Sequence, residues 1–473
     1  MSFRTALLAA LALPLLAAPV LAQQPPARQP QPVLPMPATG GPLTLETAER
    51  LLVERNLAIL AARRGIELAR AQRLVASAFP SPTVGIATTV GQFNETTSGR
   101  VVGVRGIGPT NDLGLSLTAV IERGGKRELR TRAAEAGIGV AEAQLLDTLR
   151  TQVFALRQAY LNALLARANL DVALANRASL DRTEALLRRQ SEAGAIPEGD
   201  LIRFQAGRLQ FETDVVTGGQ SFAAAVAQVA AILAADPAAA VFRPEFGRAG
   251  RGPGLPGPVA YDLRGSLAPP GALGLTREQL LAGVDSRPDV VAALRSAEQA
   301  RGNTAVAEAG RFRDVTVGLG GNRTRLNQNF PDSSQQLRAN DTLGLNFSVP
   351  IFTSRIVEGN IGVAQAQQGQ AELGAEQARL QARADFAAAW AGLEASRALA
   401  ASFADAALRR AEEAYAITER AYLAGGRSLV EVLDALRTLN ATRVAVNQAR
   451  AGLLLALANL EQASGVQGVF PRP

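Results

Sequence analysis

Two long stretches of this chain are written twice. "LTLETAERLLVERNLAILAARRGIELARAQ" from Leu43 corresponds to "LTREQLLAGVDSRPDVVAALRSAEQARGNT" from Leu275, an offset of 232 (275 − 43). Further on, "AGAIPEGDL" from Ala193 corresponds to "AGGRSLVEV" from Ala424, an offset of 231 (424 − 193). Duplicated units share one architecture, so each element expected in one half can be checked on its copy. Length alone would suggest about three domains. The duplication replaces that prior with a first repeat over residues 43–235 and a second over 275–465. Residues 236–274 hold seven prolines and eight glycines and read as a connector, and 466–473 as a tail.

Each unit has the same order: a helix, two strands, two very long helices. The first helix is expected over Thr44–Ala76 in one unit and Thr276–Ala309 in the other. Strands follow at about 82–91 and 113–121, and at about 314–321 and 342–351. Leu113, Leu115, Leu117, Ala119 and Ile121 share one face of their strand. Leu343, Leu345, Phe347, Val349 and Ile351 alternate with Gly344, Asn346, Ser348 and Pro350. Apolar on one face and small or polar on the other is the pattern of a barrel strand with lipid outside and water inside. Four good strands are too few for a sandwich. Polar, Gly-rich connections, Gly91–Asp112 and Gly321–Asp341, join each pair and are expected to be outward loops. Within the first, "GVRGIG" at Gly103–Gly108 imitates a phosphate-binding loop but lacks the flanking buried strand and helix.

The helices are the larger part. No proline occurs between Pro109 and Pro197, nor between Pro350 and Pro471. Helical hairpins are therefore expected over about 125–235 and 355–465. Leu146, Leu149, Val153, Leu156 and Tyr160 step by three and four, a coiled-coil seam. As one helix, the stretch from Gly125 to Gly194 would span roughly 100 Å.

The chain begins with Arg4, an apolar core over Ala6–Ala18 and a small-residue cleavage pattern at Val20-Leu21-Ala22, which is read as a signal peptide over residues 1–22. A Pro-rich leader over 23–42 follows, with seven prolines. After residue 22 no apolar run approaches the roughly 20 residues of a membrane-spanning helix, the longest candidate being the stretch Leu453–Leu460. Entry into a membrane would have to be as a closed β-barrel. Four strands cannot close one, because barrels start at about eight. Two copies would supply eight strands and three copies twelve. Interior width favours three, since eight-stranded barrels are filled by their own side chains.

Composition narrows the function. The chain has no His and no Cys, which excludes imidazole acid–base chemistry, zinc sites and disulfides. No nucleophile–base pair or ligand cluster suggests an enzyme or a cofactor. The net charge of +7 comes mainly from arginines spread among acids along helices, not from a basic face with interleaved aromatics, so no nucleic-acid partner is expected. An elongated periplasmic coiled-coil adaptor is the main rival reading, but it has no need of two duplicated strand pairs.

The duplicated layout, "SVPIF" leading from strand into helix, "ERGGKR" at Glu122–Arg127 and the tip "YLAGGRSLVEVLDA" from Tyr422 together resemble the TolC-like family of outer-membrane efflux proteins. "ERGGKR" is similar to the CzcC-like heavy-metal branch. The resemblance covers nearly all of the chain after the leader. It implies an α+β membrane protein: a homotrimer with a twelve-stranded outer-membrane β-barrel continued by a twelve-helix periplasmic α-barrel. It also implies a passive exit duct that meets outer-membrane lipid, a periplasmic adaptor and an inner-membrane pump, with an RND-type pump expected. A type I protein-secretion duct is a variant of the same reading.

In that family the turns between long helices form a closable periplasmic mouth. Tyr422, Arg427, Glu431 and Asp434 match gate positions of the second hairpin, and Asp200 matches an aspartate of the first. By this likeness Tyr422 and Arg427 hold the two hairpins together through Asp200. Glu431 in place of Asp, Gly199 in place of a hydroxyl residue and Val120 in place of a proline are departures. Glu431 and Asp434, three apart, share a helix face, and three copies would form a ring of six carboxylates that attracts cations and raises some of their pKa values. Gly194, Gly425 and Gly426 are expected to supply positive φ at the hairpin tips and small surfaces for the adaptor.

Overall fold

The computed structural model describes residues 42–88, 96–97, 100–101, 112–235, 261–268, 274–324, 340–402 and 405–471. The expected signal peptide, the leader up to residue 41, most of the connector and most of both outward loops, with Gly103–Gly108, lie outside the described residues.

A three-residue strand β1 (Pro42–Thr44) leads into α1 (Leu45–Arg55) and α2 (Leu57–Ser77). The single helix expected over Thr44–Ala76 is thus two. Asn56 leaves the helical region (ψ 124°), and its Oδ1 accepts from the Ala58 and Ile59 N–H groups at 3.0 and 3.1 Å, capping α2. The second unit breaks at the corresponding place, between α5 (Arg277–Val284) and α6 (Pro288–Ala309). There Pro288 occupies the first helical turn and holds Arg287 extended.

Four strands form one antiparallel sheet: β2 (Thr83–Thr88), β3 (Asp112–Ile121), β5 (Val315–Thr324) and β6 (Asn340–Ser348), side by side in that order. The two repeats meet at its centre, where Leu113 stands opposite Arg323 and Ile121 opposite Val315. Register places Gly85, Ser116, Gly320 and Gly344 in one cross-strand row, and Thr83, Thr118, Gly318 and Asn346 in the next on the same face. The opposite face carries Val84, Leu117, Leu319 and Leu345, all exposed. β2 and β6 are edges without a partner among the described residues. The strand expected over 342–351 stops at Ser348, because Pro350 has no N–H for the ladder. β5 runs three residues past the expected 321.

The rods follow. α3 (Lys126–Glu192) has 67 residues, about 100 Å at 1.5 Å per residue, and returns as α4 (Glu198–Ile232). In the second unit α7 (Ser354–Ser402) and α8 (Asp405–Leu423) share the outgoing arm, and α9 (Leu429–Ser464) returns. α3 packs along α2, α4 and α6, and α9 joins the hairpins by touching α3, α7 and α8. α4 is long and apolar enough by composition to cross a membrane, which corrects the expectation that nothing after residue 22 reaches that length. Its Phe204, Phe211, Val215, Phe222, Val226 and Val229 are buried within the bundle, and that packing accounts for its composition.

The main core lies where α1, α3, α4, α7 and α9 meet, and includes Leu52, Leu156, Tyr160, Val226, Phe386 and Leu454. The expected seam shifts by one residue at its start, where Leu145 packs on the core and Leu146 is 56% exposed. β1 pairs in parallel with β4 (Asp262–Arg264), tying the start of the first repeat to the connector. The buried Tyr160 hydroxyl locks that pair, 2.8 Å from Leu43 O and 2.6 Å from Arg264 O, and burial pushes its pKa to about 12. The expected tail is docked. Glu461 accepts from the Gly468 and Phe470 N–H groups at 3.1 and 2.8 Å, and Arg157 bridges Glu49 and Glu461 at 2.7 and 2.6 Å.

Candidate functional site

The two hairpin tips, 231 residues apart, share one turn. Gly194 (φ 69°) and Gly425 (φ 77°) follow the last turns of α3 and α8 in the left-handed conformation. The next residue reaches back in each: Ala195 N–H donates to Gln190 O at 2.8 Å and Gly426 N–H to Ala421 O at 2.9 Å. This is a Schellman ending, which needs one residue at positive φ. Gly426 does not adopt positive φ, contrary to expectation, and Ala195 occupies its place in the first tip. A Cβ at Gly194 or Gly425 would meet nothing within 4 Å, so both tips present bare backbone.

The helices that leave the tips start differently. Ser428 caps α9 with a capping box: Ser428 Oγ accepts from Glu431 N–H at 3.4 Å, and Glu431 Oε2 accepts from Ser428 N–H at 3.1 Å. Arg427 Nη1 donates to Glu431 Oε1 at 3.0 Å. The Ser428 backbone N–H and the Arg427 guanidinium together hold the Glu431 carboxyl below its ordinary pKa. Asp434 receives Arg437 Nη1 at 3.0 Å. Within one chain, then, each carboxylate of the expected ring is matched by an arginine. In the first tip Pro197 stands at the cap with no side-chain bond, and Asp200 occupies the position equivalent to Glu431.

The expected Arg427–Asp200 contact is not formed within the chain, because Arg427 is turned to Glu431. Asp200 has Arg203 at 3.8 Å. Its charge also reaches Tyr422, whose phenol pKa is raised first by burial and then by Asp200. The fold therefore sets Tyr422 at the margin of the apolar contact between the tips, where it feels the Asp200 charge, and leaves Arg427 within its own hairpin.

What joins the tips is largely apolar. Leu180, Leu187, Phe204 and Phe211 of the first hairpin bury against Leu429, Leu433 and Leu436 of the second, with Tyr415 and Tyr422 at the margin. This cluster escaped the sequence reading, although Leu429, Val432, Leu433 and Leu436 follow helical spacing. The capping-box signature Ser428-x-x-Glu431 was equally legible. Higher up the contact between α3 and α9 turns polar. Asn176, 2% exposed, donates to Asn440 Oδ1 at 2.8 Å, and Asn447 donates to Asn169 Oδ1 at 3.1 Å. A cavity of about 260 Å³ opens here, lined by Asn169, Asp214, Thr217, Ser221 and Asn440. Two apolar contacts thus flank a polar one along the hairpins.

The family model for outer membrane efflux proteins matches residues 50–235 and 282–466, one span per repeat. The cobalt-zinc-cadmium resistance protein CzcC of Cupriavidus metallidurans is 25% identical over 85% of this chain and 85% of its own length. The solved CusC structure, described as a transmembrane channel, superposes with a TM-score of 0.66 at 19% identity, covering 89% of this chain and 92% of CusC. The CmeC outer membrane channel of Campylobacter jejuni gives a TM-score of 0.65 at 18% identity, over 89% and 85% of the two chains. The family match over both repeats places this protein in the outer membrane, reaching into the periplasm. Its duplicated layout, its fold and the match to both repeats make the chain a member of the outer membrane efflux protein family.

Proposed function

We propose that three copies of this chain form the exit duct of a tripartite efflux assembly. The observation that carries the reading is the open four-stranded sheet set on rods of about 100 Å, with β2 and β6 both unpaired among the described residues. In lipid an unpaired edge leaves backbone groups without partners, so sister copies must seal it. Three sheets make a twelve-stranded barrel, and three sets of hairpins a twelve-helix tunnel. The small inward face of the sheet keeps the barrel's bore open, and the aliphatic face meets lipid. An inner-membrane pump, of RND type, and a periplasmic adaptor deliver the cargo, and the duct passes it on without chemistry. The likeness to a cobalt-zinc-cadmium resistance protein favours metal ions as that cargo over other small molecules or exported proteins.

The mouth lies at the tips. Tyr422 and Asp200 join the hairpins, and Gly194, Gly425 and Gly426 leave small surfaces for the adaptor's helices. Glu431 and Asp434 face the narrow end, with Arg427 as the movable charge between Glu431 and Asp200. Detergent extraction followed by mass determination, then conductance in a planar bilayer, tests the duct. A trimer-sized conducting species is expected, and a detergent-indifferent single chain overturns the reading. For the mouth, Arg427→Ser is expected to raise conductance, and wild-type conductance would remove Arg427 from the gate. Glu431→Ala/Asp434→Ala is expected to lose cation preference, and an unchanged preference would remove the carboxylate ring.

A further inference from the structure

The base of the sheet, where strands become helices, carries exposed groups that the duct reading does not use. Phe79 stands four residues before β2, Phe312 three before β5 and Phe352 four after β6. They are 74%, 55% and 90% exposed. Phe352 also holds a left-handed backbone (φ 58°), a conformation in which a bulky residue is strained. Val349 and Ile351 beside it are exposed as well. Water is a poor environment for all five, and aromatic side chains are enriched where a bilayer meets water.

Arginines occupy the same level. Arg123, Arg311, Arg313 and Arg355 are exposed, and none has a carboxylate within ion-pair distance among the described residues. The neighbouring acids are already engaged: Asp314 with Lys126 at 2.8 Å, Glu128 with Arg127 at 2.8 Å, and Glu122 with Arg130. Two exposed acids without such partners, Glu308 and Glu358, lie in the adjoining turns of α6 and α7. Four free guanidiniums less two free carboxylates leave +2 per copy (4 − 2). Arg127 lies 4.0 Å above the Phe79 ring, so cation and aromatic share one surface.

We infer that this belt is a binding surface for anionic phospholipid headgroups of the periplasmic leaflet, read by Arg123, Arg311, Arg313 and Arg355 above a collar of Phe79, Phe312 and Phe352. The inference rests on the reading that the sheet is the membrane-embedded part. The planar guanidinium forks engage a phosphodiester through paired N–H donors, and the phenyl rings sit among the glycerol and upper acyl groups. The belt anchors the strand-to-helix junction at a fixed depth, so that the rods leave the bilayer at a set height.

The test uses the full-length protein as extracted in detergent, titrated with phosphatidylglycerol or with phosphatidylethanolamine and read by native mass spectrometry of retained lipid. Phosphatidylglycerol is expected to be retained in preference. Arg311→Gln/Arg313→Gln/Arg355→Gln, all at exposed positions, is expected to weaken that retention at least about tenfold without changing the mass of the complex. The Lys versions of the same three are expected to keep most of it. Equal retention of the two lipids, or an unaffected Gln triple variant, overturns the belt. Complete displacement by inorganic phosphate also overturns it, because the surface would then be a small-anion site. If the wild-type protein emerges as a detergent-indifferent single chain, the duct reading fails and the belt falls with it. If the oligomer stands but lipid discrimination is absent, only the belt fails.

Discussion

The two hairpin tips descend from one sequence and end in the same turn, yet they are held by different means. The second tip satisfies itself: Ser428, Glu431 and Arg427 close a capping box and an ion pair within five residues. The first tip has Pro197 where Ser428 stands, so Asp200 closes no capping box and has only Arg203 at 3.8 Å, and its charge is felt by Tyr422 of the other hairpin. Duplication supplied two equal turns. Divergence at single positions made one tip self-contained and the other dependent on its neighbour. The apolar clamp shows the same asymmetry, since Phe204 is 1% exposed while its counterpart at the same offset is Ala435.

Breaking the clamp is expected to have the largest effect. Phe204→Ala removes a ring buried against both hairpins and is expected to cost about 3–5 kcal/mol in local stability at the tips. Hydrogen exchange in α4 and in the first turns of α9 should rise together, and a rise confined to α4 would mean that the clamp does not couple them. Next comes the turn itself. Gly194→Ala and Gly425→Ala force a Cβ into positive φ with no neighbour to clash, and each is expected to cost about 1–2 kcal/mol. Gly426→Ala is expected to be nearly neutral, since Ala195 already fills that position in the first tip. Equal effects at Gly425 and Gly426 would contradict the shared geometry.

The caps should give a smaller and unequal difference. Ser428→Ala is expected to destabilise the start of α9 by about 1 kcal/mol, whereas Pro197→Ala removes no side-chain bond from α4. The smallest expected effect is that of pH. The folded-state pKa of Glu431 lies below its ordinary 4.5, so its contribution is present above that value and fades as pH falls through the lower one. Amide protection in the first turn of α9 should therefore decline in acid and that of α4 less. Glu431→Gln should keep the box and remove the decline specific to α9.

Most of the architecture was legible because it rests on local periodicity. Period-two alternation marked Leu113–Ile121, and proline-free stretches marked the rods. Asn56 and Arg287-Pro288 lay side by side in the duplicated alignment and still read as continuous helix, since helix propensity is a weak signal against a single cap. The glycines at Gly194 and Gly425 and the box at Ser428–Glu431 were equally present in the sequence. The box was passed over because Glu431 was assigned to a ring of charges.

Sequence alone determined the duplication and what depends on residues a few positions apart: the alternating strands, the length of the rods and the glycine turns. Helical and strand periods and φ preferences act at that range. Tertiary structure decided the partners. It set Arg427 on Glu431 instead of Asp200, Leu145 instead of Leu146 on the core, Tyr160 on the β1–β4 pair, and Phe470 under Arg157 at 4.9 Å. Each of these choices compares alternatives of similar local energy, and burial and hydrogen bonding among residues distant along the chain, or the reach of one side chain against another, select between them.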